Sequence, residues 1–339
     1  MKRLCYISRN YRTVNSSGNK AKTDNEQTLQ ALGAKNLGLH TTFYDSKILT
    51  FMLDLCGIVK MMFTVKCGDS IVLQYPIKKY FAFICRVARL RGATTTALIH
   101  DLGSMRRKKL TIEKEIRRLM YADRVIASNE MMKGWLKDHG FTKPLGALGL
   151  FDYRSKAERT VWPEEHECPI LVYASALAMR KNSFLLDMAR IITNYEVHIY
   201  GNRGGLPNLA DTDHLKVYSF MPAEDFIDHV EGDFGLVWDG NSLDTCSGDF
   251  GEYLRWNSPH KVSFCLRAGL PVIIWREAAV APIIEKLGIG LCIDSLRELN
   301  SLLAAITPEQ MQTMRDNVKH VSDQLKDGHF LRTALENIE

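Results

Sequence analysis

The chain has 339 residues, 46% hydrophobic and 24% charged, with a net charge of +5. That length predicts two domains, each with its own core, and the composition excludes both a disordered chain and a small stapled scaffold. The eight cysteines never fall two residues apart and form no Cys/His cluster of zinc spacing, so they read as buried thiols. With Arg9, Asn10 and Arg12 interrupting any secretory apolar run, the expected compartment is the reducing cytoplasm.

In chain order, β-rich runs alternate with helical patterns. The first half predicts strands at 3–8, 41–45, 70–75, 95–100, 124–128 and 145–150, joined by stretches long enough for crossover helices. Its most apolar window, 48–65, carries Asp54 and Lys60, is too broken to span a membrane, and reads as a core helix. Between Pro76 and Met120, twelve Lys/Arg face only three acids. Such a basic stretch (78–118) suits an anionic membrane surface, a nucleic acid or an anionic substrate, or is simply solvated.

Residues 154–167 turn polar around Pro163 and read as a linker. A second series follows, with strands at 170–174, 196–200, 216–220, 234–238, 271–275 and 290–293 and helices at 182–193, 223–230, 259–267 and 280–286. The fold class is therefore α/β, two Rossmann-like doubly wound domains facing across a cleft: 1–153, the linker 154–167, 168–323, and a terminal helix 324–339. In the helical tail, Met311, Met314, Val318, Val321 and Leu325 form one apolar stripe. It packs on the body of the protein or forms a homo-oligomer seam.

No Gly-x-Gly-x-x-Gly, Walker A or Gly-x-Ser-x-Gly sequence occurs, which removes support for dinucleotide, P-loop and α/β-hydrolase chemistry. The best local signal is Asn257-Ser258-Pro259-His260-Lys261. Ser258 suits an N-cap and Pro259 the first helical position, so free backbone N–H groups, the helix dipole and Lys261 converge on a place to hold phosphate. Arg180-Lys181 follow the strand 170–174 on the same sheet edge, and two cationic loops there could clamp a pyrophosphate. His100-Asp101 end a first-domain strand, where a carboxylate or imidazole could take a proton from an attacking hydroxyl. The loop Asn15, Ser16, Ser17, Gly18 opens on that side as well. Asp239 and Glu252 lie near the presumed anion site, suited to sugar hydroxyls or to balancing Lys261 and Arg255.

These pieces together resemble bacterial β-1,6-galactofuranosyltransferases and the related UDP-dependent glucosyltransferases of serine-rich adhesins. The resemblance is carried by Trp238-Asp239-Gly240, Tyr253-Leu254, Asn257 to Lys261, Ala268-Gly269-Leu270-Pro271-Val272, Asp69 with Gln74-Tyr75-Pro76, Ile99-His100-Asp101-Leu102 and the Arg180-Lys181 loop. After His-Asp-Leu the relatives carry acids, whereas this chain has Gly103-Ser104 and then Arg106 to Lys109.

The resemblance implies a GT-B glycosyltransferase with the acceptor in the first domain, a UDP-sugar in the second and no metal or other cofactor. It places Arg180, Lys181, Asn257, Ser258, His260 and Lys261 on the UDP, Tyr218 beside the uracil, and Asn15 to Gly18 toward the diphosphate. Asp101, with His100, would serve as catalytic base in an inverting transfer of a hexose, galactofuranose foremost, to a saccharide or lipid-linked acceptor. A glucosyltransferase acting on a glycoprotein is the neighbouring alternative. A non-catalytic subunit of the same fold and a nucleic-acid-binding protein are the alternatives outside the class, and no nucleic-acid motif supports the latter. The basic stretch 78–118 then predicts peripheral attachment at the inner face of the cytoplasmic membrane.

Overall fold

The computed structural model describes residues 3–12, 17–77, 79–106, 110–159 and 166–338. The chain divides into two compact units, Met1–Asp152 with Asp327–Glu339, and Tyr153–Lys326.

In the first unit the elements run β1 (Leu4–Tyr6), α1 (Ser17–Ala31), β2 (Lys35–Asn36), α2 (Lys47–Thr64), β3 (Ser70–Tyr75), α3 (Phe81–Leu90), β4 (Thr94–Ile99), α4 (Gly103–Arg106), α5 (Ile112–Leu119), β5 (Arg124–Ala127), α6 (Glu130–Asp138) and β6 (Leu145–Ala147). The strands form one parallel sheet in the order β2-β1-β3-β4-β5-β6. Strand order reverses between β1 and β3, the position at which open parallel sheets leave a crevice beyond their carboxyl ends. The central strands are apolar on both faces, as burial between helices requires: Ile71, Val72, Leu73, Ala97, Leu98, Val125 and Ile126 are all buried.

Three expectations for this unit fail. The segment 41–45 makes only an isolated bridge, Asn10 to Thr42, and the edge strand is β2 instead. Its hydroxyls explain why: Thr41 Oγ1 donates to Glu26 (2.9 Å) and Thr42 Oγ1 to Asn10 (2.7 Å), so this segment is held by side-chain bonds rather than by a ladder. The helix at 48–65 is present as α2, capped by Ser46, but it is not a core helix, because only Asp54, Gly57, Ile58 and Met61 are buried. Of the cysteines, Cys56 and Cys67 are exposed.

The second unit holds β7 (Ile170–Ala174), α7 (Met179–Asn182), α8 (Phe184–Met188), β8 (Glu196–Tyr200), β9 (Leu215–Tyr218), α9 (Ala223–His229), β10 (Phe234–Val237), α10 (Gly248–Gly251), α11 (His260–Arg267), β11 (Val272–Trp275), α12 (Ala281–Leu287), β12 (Gly290–Ile293), α13 (Leu299–Ala304) and α14 (Pro308–Asp327). Its parallel sheet has the order β12-β11-β10-β7-β8-β9, the Rossmann arrangement, with the reversal between β7 and β10. The helix expected at 182–193 is broken into α7 and α8. Asn182 is buried, accepts from the Ala178 N–H (2.9 Å) and donates to the Tyr173 hydroxyl, which ties the chain down after one turn.

The last helix, α15 (His329–Glu336), belongs to the first unit: Asp152 accepts from the N–H groups of Phe330 (3.0 Å) and Leu331 (2.8 Å) at its start. The stripe Met311, Met314, Val318, Val321 and Leu325 of α14 is buried within the chain, so it packs on the body and is not an exposed oligomer seam. Among the described residues no helix is long and apolar enough to cross a membrane.

Candidate active site

In the second unit the strand reversal brings the loops after β7 and β10 together, and α11 begins beside them. Three predicted residues meet there. Lys261 Nζ lies 3.0 Å from Asp239 Oδ1, and Lys181 Nζ lies 3.8 Å from the same oxygen. Lys261 also donates to the Tyr173 hydroxyl (3.2 Å) and sits 4.5 Å over that ring. The Tyr173 hydroxyl in turn lies 3.0 Å from the Trp238 carbonyl oxygen and 3.3 Å from Asp239 Oδ1. Burial alone would lower the Lys261 pKa, but Asp239 and Tyr173 outweigh it and hold the ammonium above its ordinary value. Two lysines on one carboxylate leave one net positive charge. The cluster is a fixed cationic centre at the carboxyl end of the sheet, where a phosphate group can be received without reorganisation.

The loops around it are packed against one another with no room for side chains. Gly240 has φ 131°, donates its N–H to the Lys181 carbonyl (2.6 Å), and a Cβ there would meet Ser247 N at 2.6 Å. Only glycine serves the turn that carries Asp239.

The other predicted donor-site residues are placed less uniformly. Arg180 is exposed, its guanidinium 5.1 Å over the Phe250 ring, with no carboxylate partner among the described residues. Helix α11 starts one residue later than expected: Pro259 occupies the N-cap with no side-chain capping bond, so Ser258 does not cap the helix. Ser258 is buried, and His260 stacks on Tyr153 at 4.8 Å. Asn257 Oδ1 is a buried acceptor with no hydrogen-bond partner among the described residues. Tyr218 ends the edge strand β9, half-exposed and stacked on Tyr200 at 5.0 Å. It therefore stands two strand spacings, about 10 Å, from β7. Glu252 is exposed and paired with Arg255 (3.2 Å).

In the first unit a cavity of about 840 Å³ opens at the β1/β3 reversal. Arg9 and Tyr11 from the loop after β1, Tyr75 and Pro76 after β3, and Asp101 after β4 line it, together with Lys47, Lys79, Arg106, Glu115 and Arg118. Asp101 is ion-paired with Arg106 and stays about one-third exposed. Glu115 is fully buried and accepts from the N–H groups of Gly103 (2.9 Å) and Ser104 (2.7 Å) and from the Tyr75 hydroxyl (2.8 Å), which fixes α4 and with it Arg106. Residues 103–106 thus form a short helix that delivers a cation to Asp101.

His100 is engaged elsewhere. Its Nε2 lies 2.9 Å from Gln74 Oε1, and its ring stacks on Phe151 at 4.9 Å. Because Gln74 Nε2 donates to the Lys22 carbonyl (3.0 Å), the Gln74 oxygen faces His100 and that imidazole nitrogen is a donor. Of the three described carboxylates that line the cavity, Asp54 is buried and paired with Arg9 and Glu115 is fully buried, so Asp101 is the most exposed.

Asn15 and Ser16 lie outside the described residues, as do Lys78, Arg107, Lys108 and Lys109 and the side chain of Ser17. Gly18 falls inside the first turn of α1 and not in a loop. Several described cations of the basic stretch are engaged within the chain. Arg86 packs on Tyr121, Arg89 pairs with Asp123 (3.1 Å), and Arg106 and Arg118 turn to the cavity. Sequence reasoning missed Tyr173, read as core within the strand run, and Glu115, whose signal is too diffuse to find.

The comparisons agree with this architecture. Residues 4–150 match the model of the glucosyltransferase 3-like N-terminal domain and residues 171–338 that of the corresponding C-terminal domain. The β-1,6-galactofuranosyltransferase WbbI of Escherichia coli K12 is 29% identical over 81% of this chain and 82% of its own length. Glucosyltransferase 3 of Streptococcus gordonii is 34% identical over 31% of this chain and 30% of its own. Among solved structures, the lipopolysaccharide outer core galactosyltransferase WaaB (TM-score 0.59, 12% identity) and the glycosyltransferase WaaG (0.58, 12%) each align over 99% of both chains. The fold is GT-B, and the chain belongs to the glucosyltransferase 3-like family of glycosyltransferases.

Proposed function

We propose that this glycosyltransferase moves a hexose from a UDP-sugar to a saccharide acceptor by a single inverting displacement that needs no bound metal. The observation that carries the donor half is the Lys261–Asp239–Lys181 cluster at the β7/β10 reversal. In this reading the acceptor hydroxyl oxygen forms a bond to the anomeric carbon as the bond from that carbon to the diphosphate oxygen breaks. The proton passes to Asp101, and the charge released on UDP is met by Lys181, Lys261 and the exposed Arg180. Asp239 then acts by holding both ammonium groups in place, a different role from sugar contact. Asn257 Oδ1 is an unspent acceptor suited to a donor-substrate hydroxyl or N–H.

Galactofuranose is favoured over glucose because the galactofuranosyltransferase relative matches most of the chain and the glucosyltransferase relative a third of it. A lipid-linked saccharide at a membrane surface is the acceptor that the cationic lining of the first-unit cavity suits best.

The test is incubation of the full chain in EDTA with UDP-galactofuranose, UDP-glucose or UDP-galactose and a panel of glycoside acceptors, with the anomeric configuration of the product read by NMR. The expected result is hexosyl transfer with inversion, fastest from UDP-galactofuranose. Retention, or transfer only after a divalent metal is restored, contradicts the mechanism.

A further inference from the structure

Helix α2 has two apolar faces, and the protein covers only one. Asp54, Gly57, Ile58 and Met61 turn inward. On the opposite side Ile48, Met52, Cys56, Val59 and Phe63 recur at spacings of 4, 4, 3 and 4, one stripe, and all are exposed. Ile48 and Phe63 are each 78% exposed, with Leu49 and Phe51 open beside them and Phe83 and Leu90 of α3 open nearby. Single exposed apolar residues need no explanation, but a stripe along all five turns of one helix does.

The rim of this stripe is cationic. Lys47 starts the helix and also lines the Asp101 cavity, and Lys60 lies along the helix with its Nζ donating to the Gly38 carbonyl (2.7 Å); both residues are exposed. Lys79 reaches over the Phe51 ring (5.2 Å), and Arg91 donates to the Met62 carbonyl (3.2 Å). The sole acid of α2, Asp54, is buried and paired with Arg9, and the exposed Asp45 stands before the helix begins.

We infer that α2 is a lipid-docking helix that lies in the headgroup region of an anionic membrane, its outer stripe among the acyl chains and its lysines on the phosphates. The charge pattern selects this occupant over a second copy of the chain, since a self-complementary contact would set one cationic rim against another. At 18 residues α2 is about 27 Å long, and with one face packed against the protein it lies on the membrane and does not cross it. Lys47, Thr50, Phe51 and Asp54 of α2 also line the cavity that holds Asp101 from the inner side of the helix, so docking holds that cavity one helix diameter, about 10 Å, from the lipid surface. The docking itself stands apart from the transfer reading. Its use, presenting the cavity to a lipid-borne acceptor, rests on that reading.

The experiment is sedimentation of the full chain with vesicles of phosphatidylcholine, with and without phosphatidylglycerol. It is repeated for the Ile48→Ser, Met52→Ser, Phe63→Ser triple variant and for a chain carrying an environment-sensitive dye on Cys56 with Cys67→Ser. The expected result is retention by the anionic vesicles, weakened but not abolished by salt, a blue shift of the dye on binding, and a roughly tenfold or greater loss of retention in the triple variant. The variant should keep its melting temperature and its affinity for UDP. Failure of the wild type to bind anionic vesicles, equal retention of the triple variant, or an unshifted dye overturns the inference. A vesicle-free dimer that the triple variant dissolves would assign the stripe to a second copy instead. Loss of UDP binding by the wild-type chain would defeat the transfer reading and leave the docking result standing.

Discussion

Lys261→Ala is expected to weaken UDP binding roughly 10- to 100-fold, the 1.5–3 kcal/mol of one charge-assisted hydrogen bond, and to abolish measurable transfer. It is also expected to destabilise the second unit. Removing one member of a mostly buried pair strands the other, and among the described residues Asp239 would retain Lys181 at 3.8 Å and the Tyr173 hydroxyl at 3.3 Å. The cost for a buried pair is about 3–5 kcal/mol, and the residual exposure of both side chains points to its lower end. These two effects separate in the double variant Lys261→Met, Asp239→Asn, which removes both charges. Its melting temperature should recover much of the loss while UDP binding stays weak. Calorimetric titration and thermal melts check this, and a double variant that binds UDP as the wild type does would reduce Lys261 to a structural residue.

Asp101→Asn is the second large effect. A positioned general base contributes about 10²- to 10⁴-fold, so turnover should fall by that amount while the Kd for UDP stays within about twofold of wild type. Asparagine keeps the shape and a hydrogen-bonding oxygen for Arg106 but cannot accept the proton. Arg106→Ala discriminates further: it frees the carboxylate of its ion-pair partner, and should change the rate of transfer without removing it. Steady-state rates with saturating UDP-sugar, beside UDP titration of the same preparations, make the comparison. Full activity in Asp101→Asn would remove the base assignment and leave the cationic donor site untouched.

Much of the doubly wound fold was legible because parallel strands buried on both faces are unbroken apolar runs, such as Ile71 to Leu73 and Leu171 to Tyr173, with helix-length gaps between them. The two-residue strand β2 is too short to leave such a run. Helix α2 lies where the sequence places it, but its exposure is not legible for a physical reason: a helix apolar on both sides has the same sequence pattern whatever covers its second face.

At the site, Lys261 and Arg180-Lys181 were legible as cations at helix starts. The convergence of Lys261 and Lys181 on Asp239 was not, because it depends on strand β7 lying against β10, some sixty residues later in the chain. The same holds for the first-unit cavity, whose cations come from Arg9 to Arg118 and meet only through the β1/β3 reversal. Ser258 shows the limit of local rules. It has the residue type of a cap, yet Pro259 takes the cap position and Ser258 is buried beneath the turn.

The most direct test of the central claim, a preformed cationic UDP site at the β7/β10 reversal, is calorimetric titration of the folded chain with UDP in EDTA, with ADP, GDP and CMP as controls. The predicted result is saturable, UDP-selective binding without metal, weakened by Lys261→Ala and unchanged by Asp101→Asn. Absence of UDP binding, or equal binding of all four nucleotides, would contradict it.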